Sequence, residues 1–213
     1  VWNKGAATVP YYQDVVTGKD FIGWNWKWEG GDNVMAYPQV DYGCSPWTPD
    51  KKTGTGFPFA AGSRKCTVSF DVEIKASGIF NMTFQIWAVR GSLSEKSAIS
   101  HEIMIWTIDQ SPHLWGWAVH QGKFKYGDVT FDVYTRAHHT DDSGVNSNQW
   151  RYIAFVPDKP IYKDSLRVDE FFDYLIREKL LTKENYIANI GFGNEVWTSE
   201  GYTKIRNFSV TVK

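Results

Sequence analysis

The stretch CTVSFDVEIKA, residues 66–76, alternates strictly: Val68, Phe70, Val72 and Ile74 fall on one side of an extended chain and Ser69, Asp71, Glu73 and Lys75 on the other. A period of two marks a strand with one packed and one wet face. The stretch FNMTFQIWAV, residues 80–89, repeats the pattern, with Phe80, Met82, Phe84 and Ile86 inward and Asn81, Thr83, Gln85 and Trp87 opposite. That second face is polar yet carries a tryptophan. Similar runs at 101–108, 129–137, 150–156, 186–193 and 204–212, punctuated by Gly, Pro, Asn and Asp, predict many strands joined by short connections.

One segment changes period. In DSLRVDEFFDYLIREKLL, residues 164–181, Val168, Phe171, Phe172, Leu175 and Ile176 recur at helical spacing, Asp164 or Ser165 stands at the capping position, and Arg177 and Lys179 suit the negative end. One helix late among many strands predicts an all-β fold: a jelly-roll β-sandwich of two antiparallel sheets with the helix packed on it. Residues 1–213 are expected to form a single domain. The Gly/Pro-rich stretch 43–65 is expected to be a surface loop.

The 23 basic and 24 acidic residues leave a net charge of −1, which argues against a partner held by phosphate charge and so against nucleic acid. No apolar run approaches the roughly 20 residues that cross a bilayer, and VWNKGAATVP lacks a signal-peptide profile, so the chain reads as soluble as given, with any leader it was made with already removed. Eleven Trp, 11 Tyr and 13 Phe are more than packing requires, and exposed rings without strong charge suit flat, uncharged partners such as sugars. Cys44 and Cys66 are the only cysteines. Their spacing could close a loop, and in a secreted chain the pair is expected to be a disulfide; two reduced, buried thiols are the alternative.

In SHEIMIWTID, residues 100–109, alternation puts Glu102, Met104 and Trp106 on the face opposite Ile103 and Ile105. The same count on IANIGFGNE, residues 187–195, packs Ile190 and Phe192 and leaves Asn189, Gly191, Gly193 and Glu195 outward, with the glycines read as space for a polymer against the sheet. Two carboxylates on one concave surface among aromatic rings are what glycoside hydrolysis requires, because one protonates the leaving oxygen while the other attacks the anomeric carbon or activates water. Ordinary solvated strand carboxylates are the competing reading. HHTDD, residues 138–142, has metal-ligand residue types but no holding spacing and reads as a solvated turn, so no metal is expected. There is no G-x-S-x-G elbow, GFGNE precedes no helix that would make a phosphate site, and Glu200 reads as solvated.

HEIMIW resembles the Glu-Leu-Met-Ile-Trp motif around the nucleophile of glycoside hydrolase family 12, and GFGNEVWTSEG is similar to the Phe-Gly-Thr-Glu-Pro-Phe-Thr-Gly motif around that family's acid/base. WKWEGGDNVMAYP resembles the family's early strand pair and EFFDYLIRE its single helix, in the same order along nearly the whole chain. The resemblance implies a jelly roll with a concave cleft and a secreted, endo-acting, retaining β-1,4-glucanase that needs no cofactor, acts as a monomer and cleaves cellulose-like chains or xyloglucan. It implies Glu102 as nucleophile, ionised, and Glu195 as acid/base, kept protonated by a partly apolar site and the Glu102 charge. Substrate contacts are expected from Trp2, Trp26, Gln85, Trp87, Met104, Trp115, Trp117 and Trp197. Gln85 stands where many members carry an Asp that bonds the nucleophile, which removes a like charge. A non-catalytic, lectin-like sugar-binding jelly roll is the alternative, since the same rings bind sugars without cutting them.

Overall fold

The computed structural model describes residues 2–3, 10–30, 33–92, 95–111, 114, 116–140 and 149–213. In chain order the strands are β1 (Trp2–Asn3), β2 (Tyr11–Thr17), β3 (Ile22–Trp28), β4 (Ala36–Tyr37), β5 (Gln39–Cys44), β6 (Lys52–Thr53), β7 (Phe59–Ala60), β8 (Cys66–Arg90), β9 (Ile99–Gln110), β10 (Val119–Tyr126), β11 (Val129–His139) and β12 (Trp150–Pro157). They are followed by β13 (Lys163–Arg167), the helix α1 (Val168–Arg177), β14 (Asn185–Gly193) and β15 (Val196–Val212). Among the described residues no helix is long and apolar enough to cross a membrane.

The two alternating stretches that open the reading above are one 25-residue strand, β8, which changes partners along its length. Residues 66–76 pair with β13 and β15, and residues 80–90 pair with β9 and β14. Between them Gly78 adopts a φ of 90°, and a Cβ there would stand 2.3 Å from the Thr198 carbonyl oxygen, so the bend requires glycine. The two halves face each other across the core. Phe70 on the first half lies 5.3 Å from Phe84 on the second and 5.0 Å from Phe192 of β14. One layer is therefore β2, β3, β15, the start of β8 and β13; the other is β5, β14, the end of β8, β9, β12, β11 and β10.

This is the expected sandwich, with one difference in direction. The chain leaves β9 for the far edge at β10 and returns through β11 to β12. β10, β11 and β12 pair antiparallel in turn, whereas β12 runs parallel to β9. The sheets are thus mixed rather than wholly antiparallel.

The helix covers the inner face of that returning unit. Phe171 is fully buried with ring centroids 4.8, 5.3 and 5.0 Å from Phe124, Phe131 and Phe155, one from each of β10, β11 and β12. Burying each such ring stabilises the fold by about 2–3 kcal/mol. The helix is shorter than the expected 164–181. Residues 163–167 instead form β13 against Thr67–Asp71 of β8, because an open strand edge satisfies their backbone groups better than an isolated first turn. Asp164 and Ser165 therefore do not cap it, and Arg167 precedes the first turn without a side-chain cap bond.

The expected disulfide is absent: Cys44 and Cys66 are both buried thiols. Cys66 lies in the main core beside the helix start, its N–H bonded to Asp169 Oδ1 at 3.1 Å, whereas Cys44 ends β5 with its sulfur 3.9 Å from the Pro49 carbonyl oxygen. Burial, with the Asp169 charge, pushes the Cys66 thiol up to about 12, which denies it the thiolate that disulfide exchange needs. The 43–65 stretch is also more ordered than a bare loop, since β6 pairs with β5 and β7 with β14.

Candidate active site

The face of β8 turned away from Phe84 and Ile86 carries Thr83, Gln85 and Trp87, and directly opposite residues on paired strands share a face. On one side Gln85 lies opposite Met104 and Trp87 opposite Glu102 of β9, which in turn align with Ala154 and Tyr152 of β12. On the other side Gln85 and Trp87 lie opposite Gly191 and Asn189 of β14. The alternation read from sequence thus places both carboxylate-bearing segments on the outer face of the larger layer.

Glu102 is 6% exposed and bonded at both oxygens. Gln85 Nε2 donates to Oε1 at 2.6 Å, and Trp150 Nε1 donates to Oε2 at 3.0 Å. His139 Nε2 stands 3.6 Å from the same Oε2. The two N–H donors hold the plane of the carboxylate. Of these contacts only Gln85 was legible beforehand. His139, expected in a solvated turn, is the last residue of β11, with its ring edge-on to Trp117, Trp150 and Tyr152. Asp141 and Asp142 of that motif lie outside the described residues.

Glu195 sits in the short connection between β14 and β15, partly open to the outer face, with its carboxyl surrounded by protein. Asn81 Nδ2 donates to Oε2 at 2.5 Å, and Asn81 Oδ1 accepts the Glu195 N–H at 3.2 Å. Burial raises the Glu195 carboxyl from 4.5 to about 8; the Asn81 bond opposes that rise and the Glu102 charge adds to it. The two carboxylates therefore act on one another. Tyr37 and Tyr152 register both as well: their phenols are pushed well above 10, first by burial and then by the charges of Glu195 and Glu102. The pair is thus two carboxyls on one face, each held by an amide donor from β8. Asn81, Trp150 and Tyr37 were not singled out from sequence. Alternation does put Asn81 on the face of Gln85, but nothing local tells which strand end it meets.

Met104 is fully buried beneath this face, packed with Trp106, Tyr152 and Ala154. The expected aromatic platforms divide. Trp117 is 39% exposed, with the Arg136 guanidinium 4.6 Å above its ring, and Trp197 is partly exposed two residues after Glu195. Trp87 is 4% exposed and wedged edge-on between Trp47 and Trp150, so it braces the strands around Glu102. Trp26 is no platform: it is 2% exposed in the core, edge-on to Phe80 and donating to Ser199 Oγ at 3.0 Å. Its strand, β3, is in the other layer with that face inward, which alternation within β3 alone does not reveal. Trp115 and the side chain of Trp2 lie outside the described residues; the Trp2 backbone pairs with Tyr37.

The glycines of β14 do not leave open room for a polymer. A Cβ at Gly191 would meet Gln39 Oε1 at 1.9 Å, and one at Gly193 would meet the Pro38 carbonyl oxygen at 2.0 Å. They admit β5, which pairs along this edge, and so seat Gln39 and Asp41 beside the site.

A β-sandwich that sets two interacting carboxyls on an aromatic-lined face has the machinery of a carbohydrate-cleaving enzyme. The chain belongs to glycosyl hydrolase family 12, whose model matches residues 2–213. It is a glycoside hydrolase, and the binding-only alternative falls. It is 29% identical over 221 residues to endoglucanase S of Pectobacterium parmentieri, spanning 100% of this chain and 80% of that protein. Its fold is similar to the native family 12 xyloglucanase from Bacillus licheniformis, with a TM-score of 0.86 and 26% identity over 100% of this chain and 90% of that one. An endoglucanase from Rhodothermus marinus shares the fold at a TM-score of 0.79 and 22% identity, over 99% of this chain and 89% of that one.

Proposed function

We propose that the protein is an endo-acting, retaining β-1,4-glucanase that cleaves internal bonds of xyloglucan or cellulose-like chains, with Glu102 as nucleophile and Glu195 as acid/base. The observation that carries the reading is the pair itself: Glu102 is held by two N–H donors, burial raises the Glu195 carboxyl to about 8, and the Glu102 charge adds to that rise. In the first step Glu102 attacks the anomeric carbon as the bond to the leaving oxygen breaks, and the Glu195 proton passes to that oxygen. The resulting ester removes the Glu102 charge, and with it one of the influences that kept Glu195 protonated. Glu195 is then readied as the base that takes a proton from water, whose oxygen displaces Glu102 from the sugar.

Substrate class is supported by the xyloglucanase and endoglucanase named above. A polymer substrate is too large to enter a cell, which supports secretion. The protein is proposed to act as a monomer. Among the described candidates, Trp117, exposed, and Trp197, partly exposed, are the rings offered to the polymer.

The test is release of reducing ends from xyloglucan, carboxymethylcellulose and mixed-linkage glucan in parallel, with NMR of the first anomer formed. We expect β-configured ends, and losses of at least a hundredfold in Glu102→Ala and Glu195→Ala. Unchanged hydrolysis in both variants sinks the catalytic assignment, and α-configured ends sink retention.

A further inference from the structure

We propose that Asn81 is a positioning residue that decides which oxygen of Glu195 carries the transferable proton. The proposal rests on the reading of Glu195 as the acid/base. Asn81 is fully buried on β8 and engages Glu195 at three points. Its Nδ2 donates to Oε2 at 2.5 Å, its Oδ1 accepts the Glu195 N–H at 3.2 Å, and its own N–H donates to the Glu195 carbonyl at 3.0 Å. The second contact fixes the amide's orientation. With Oδ1 facing an N–H, the donor end of the amide must face the carboxyl.

An oxygen that accepts an N–H leaves the acidic proton to its twin. Protonated Glu195 therefore carries its hydrogen on Oε1, which no described residue bonds, while Oε2 is anchored. As the glycosidic bond breaks and Glu102 bonds to the anomeric carbon, the Oε1 proton goes to the leaving oxygen. When water then displaces Glu102, its proton returns to Oε1. Between these events the same Nδ2–H donates to a carboxylate, a stronger bond than to the neutral acid, so one amide serves the acid and the base.

The anchor is itself held from the opposite layer. Asn194 Nδ2 donates to the Asn81 carbonyl at 2.9 Å, and Asn194 Oδ1 accepts from Trp24 Nε1 at 2.9 Å and Thr203 Oγ1 at 2.7 Å. All four residues are at most 2% exposed. Such a fully satisfied buried network permits one arrangement of the amide.

The experiment compares kcat/KM on a soluble β-glucan with kcat/KM on 2,4-dinitrophenyl β-cellobioside, whose leaving group departs without a proton. Asn81→Ala should lose about a hundredfold on glucan, the usual worth of a positioned acid, and less than about threefold on the aryl glycoside. Asn81→Asp keeps the shape but can donate only when protonated, so its glucan activity should fall at neutral pH and recover on acidification. Equal loss on both substrates, with no change of pH profile in Asn81→Asp, would mean a merely structural role and overturns the proposal. So does wild-type behaviour of both variants. Glu195→Ala, run alongside, separates the two readings: if it keeps glucan hydrolysis, the acid/base assignment fails whatever Asn81 does, and if it loses only glucan, the Asn81 result stands alone.

Discussion

Asn81 and Gln85 stand on the same face of one strand, and each gives an amide N–H to a different carboxyl, yet Glu102 and Glu195 differ because their remaining surroundings differ. Glu102 has a second donor in Trp150, while burial raises the Glu195 carboxyl to about 8. That has a consequence for stability. A carboxyl raised from 4.5 unfolded to about 8 folded holds its proton more tightly in the native state. Its contribution is complete below about 4.5 and is lost as pH rises through about 8. Glu195→Gln, whose amide oxygen can still accept from Asn81, should abolish glucan hydrolysis and yet raise Tm at pH 9, with no gain at pH 4. Thermal melts at the two pH values check this; a gain of equal size at both would refute it. Glu102 and Gln85 were readable beforehand because alternation settles faces. Asn81 and Trp150 were not, because choosing a partner requires knowing which strands lie adjacent.

At the level of elements, the helix illustrates how tertiary contacts reset a local pattern. Its 3.6-residue periodicity was plain in Phe171, Phe172 and Leu175, all fully buried. Its start was not, because the open edge of β8 claims residues 163–167. Asp169 then ties the first turn to that strand, accepting from the Cys66 N–H and from Arg167 at 2.6 and 2.8 Å. The far end closes with a Schellman arrangement: Leu180 N–H bonds the Leu175 carbonyl at 2.8 Å and Lys179 N–H the Ile176 carbonyl at 3.1 Å. Lys179 pays for this turn with a φ of 59°, a conformation glycine adopts without strain. Lys179→Gly should therefore stabilise the protein by about 0.5–1 kcal/mol in urea denaturation, with activity unchanged. A loss of stability would mean that the lysine stem contributes more than its backbone strain costs.

For the whole molecule, the layers meet where β8 bends and where α1 covers the β10–β12 unit, and the pairing of β9 with β12 bears on acid sensitivity through His101. His101, next to Glu102 on β9, is lowered from 6.5 to about 4, chiefly by burial and then by the Arg151 charge. Its folded form resists a proton that the unfolded chain accepts, so stability is complete above about 6.5 and declines as pH falls to about 4. His101→Gln should flatten that decline, by on the order of 2 kcal/mol at pH 4. Urea midpoints from pH 4 to pH 7 measure it, and an unchanged slope would place the acid sensitivity elsewhere. The layered arrangement also explains why Trp26 was misjudged as a sugar platform. Its strand alternates like any other, and only the stacking of the two layers decides that its side chain faces Phe80 rather than solvent.

The sequence by itself determined the strands, the one helix, the sandwich class and the faces of Glu102 and Glu195, because period-two and period-3.6 patterns are local and burial rewards them directly. Only the tertiary structure decided that two stretches form one bent strand, that β12 runs parallel to β9 and brings Trp150 to Glu102, and that the β14 glycines admit β5. It likewise decided that Asn81 grips Glu195 and that the two cysteines stay apart as buried thiols. Those outcomes depend on which strands become neighbours. Neighbours are chosen by how whole layers pack, information that no single stretch of sequence carries.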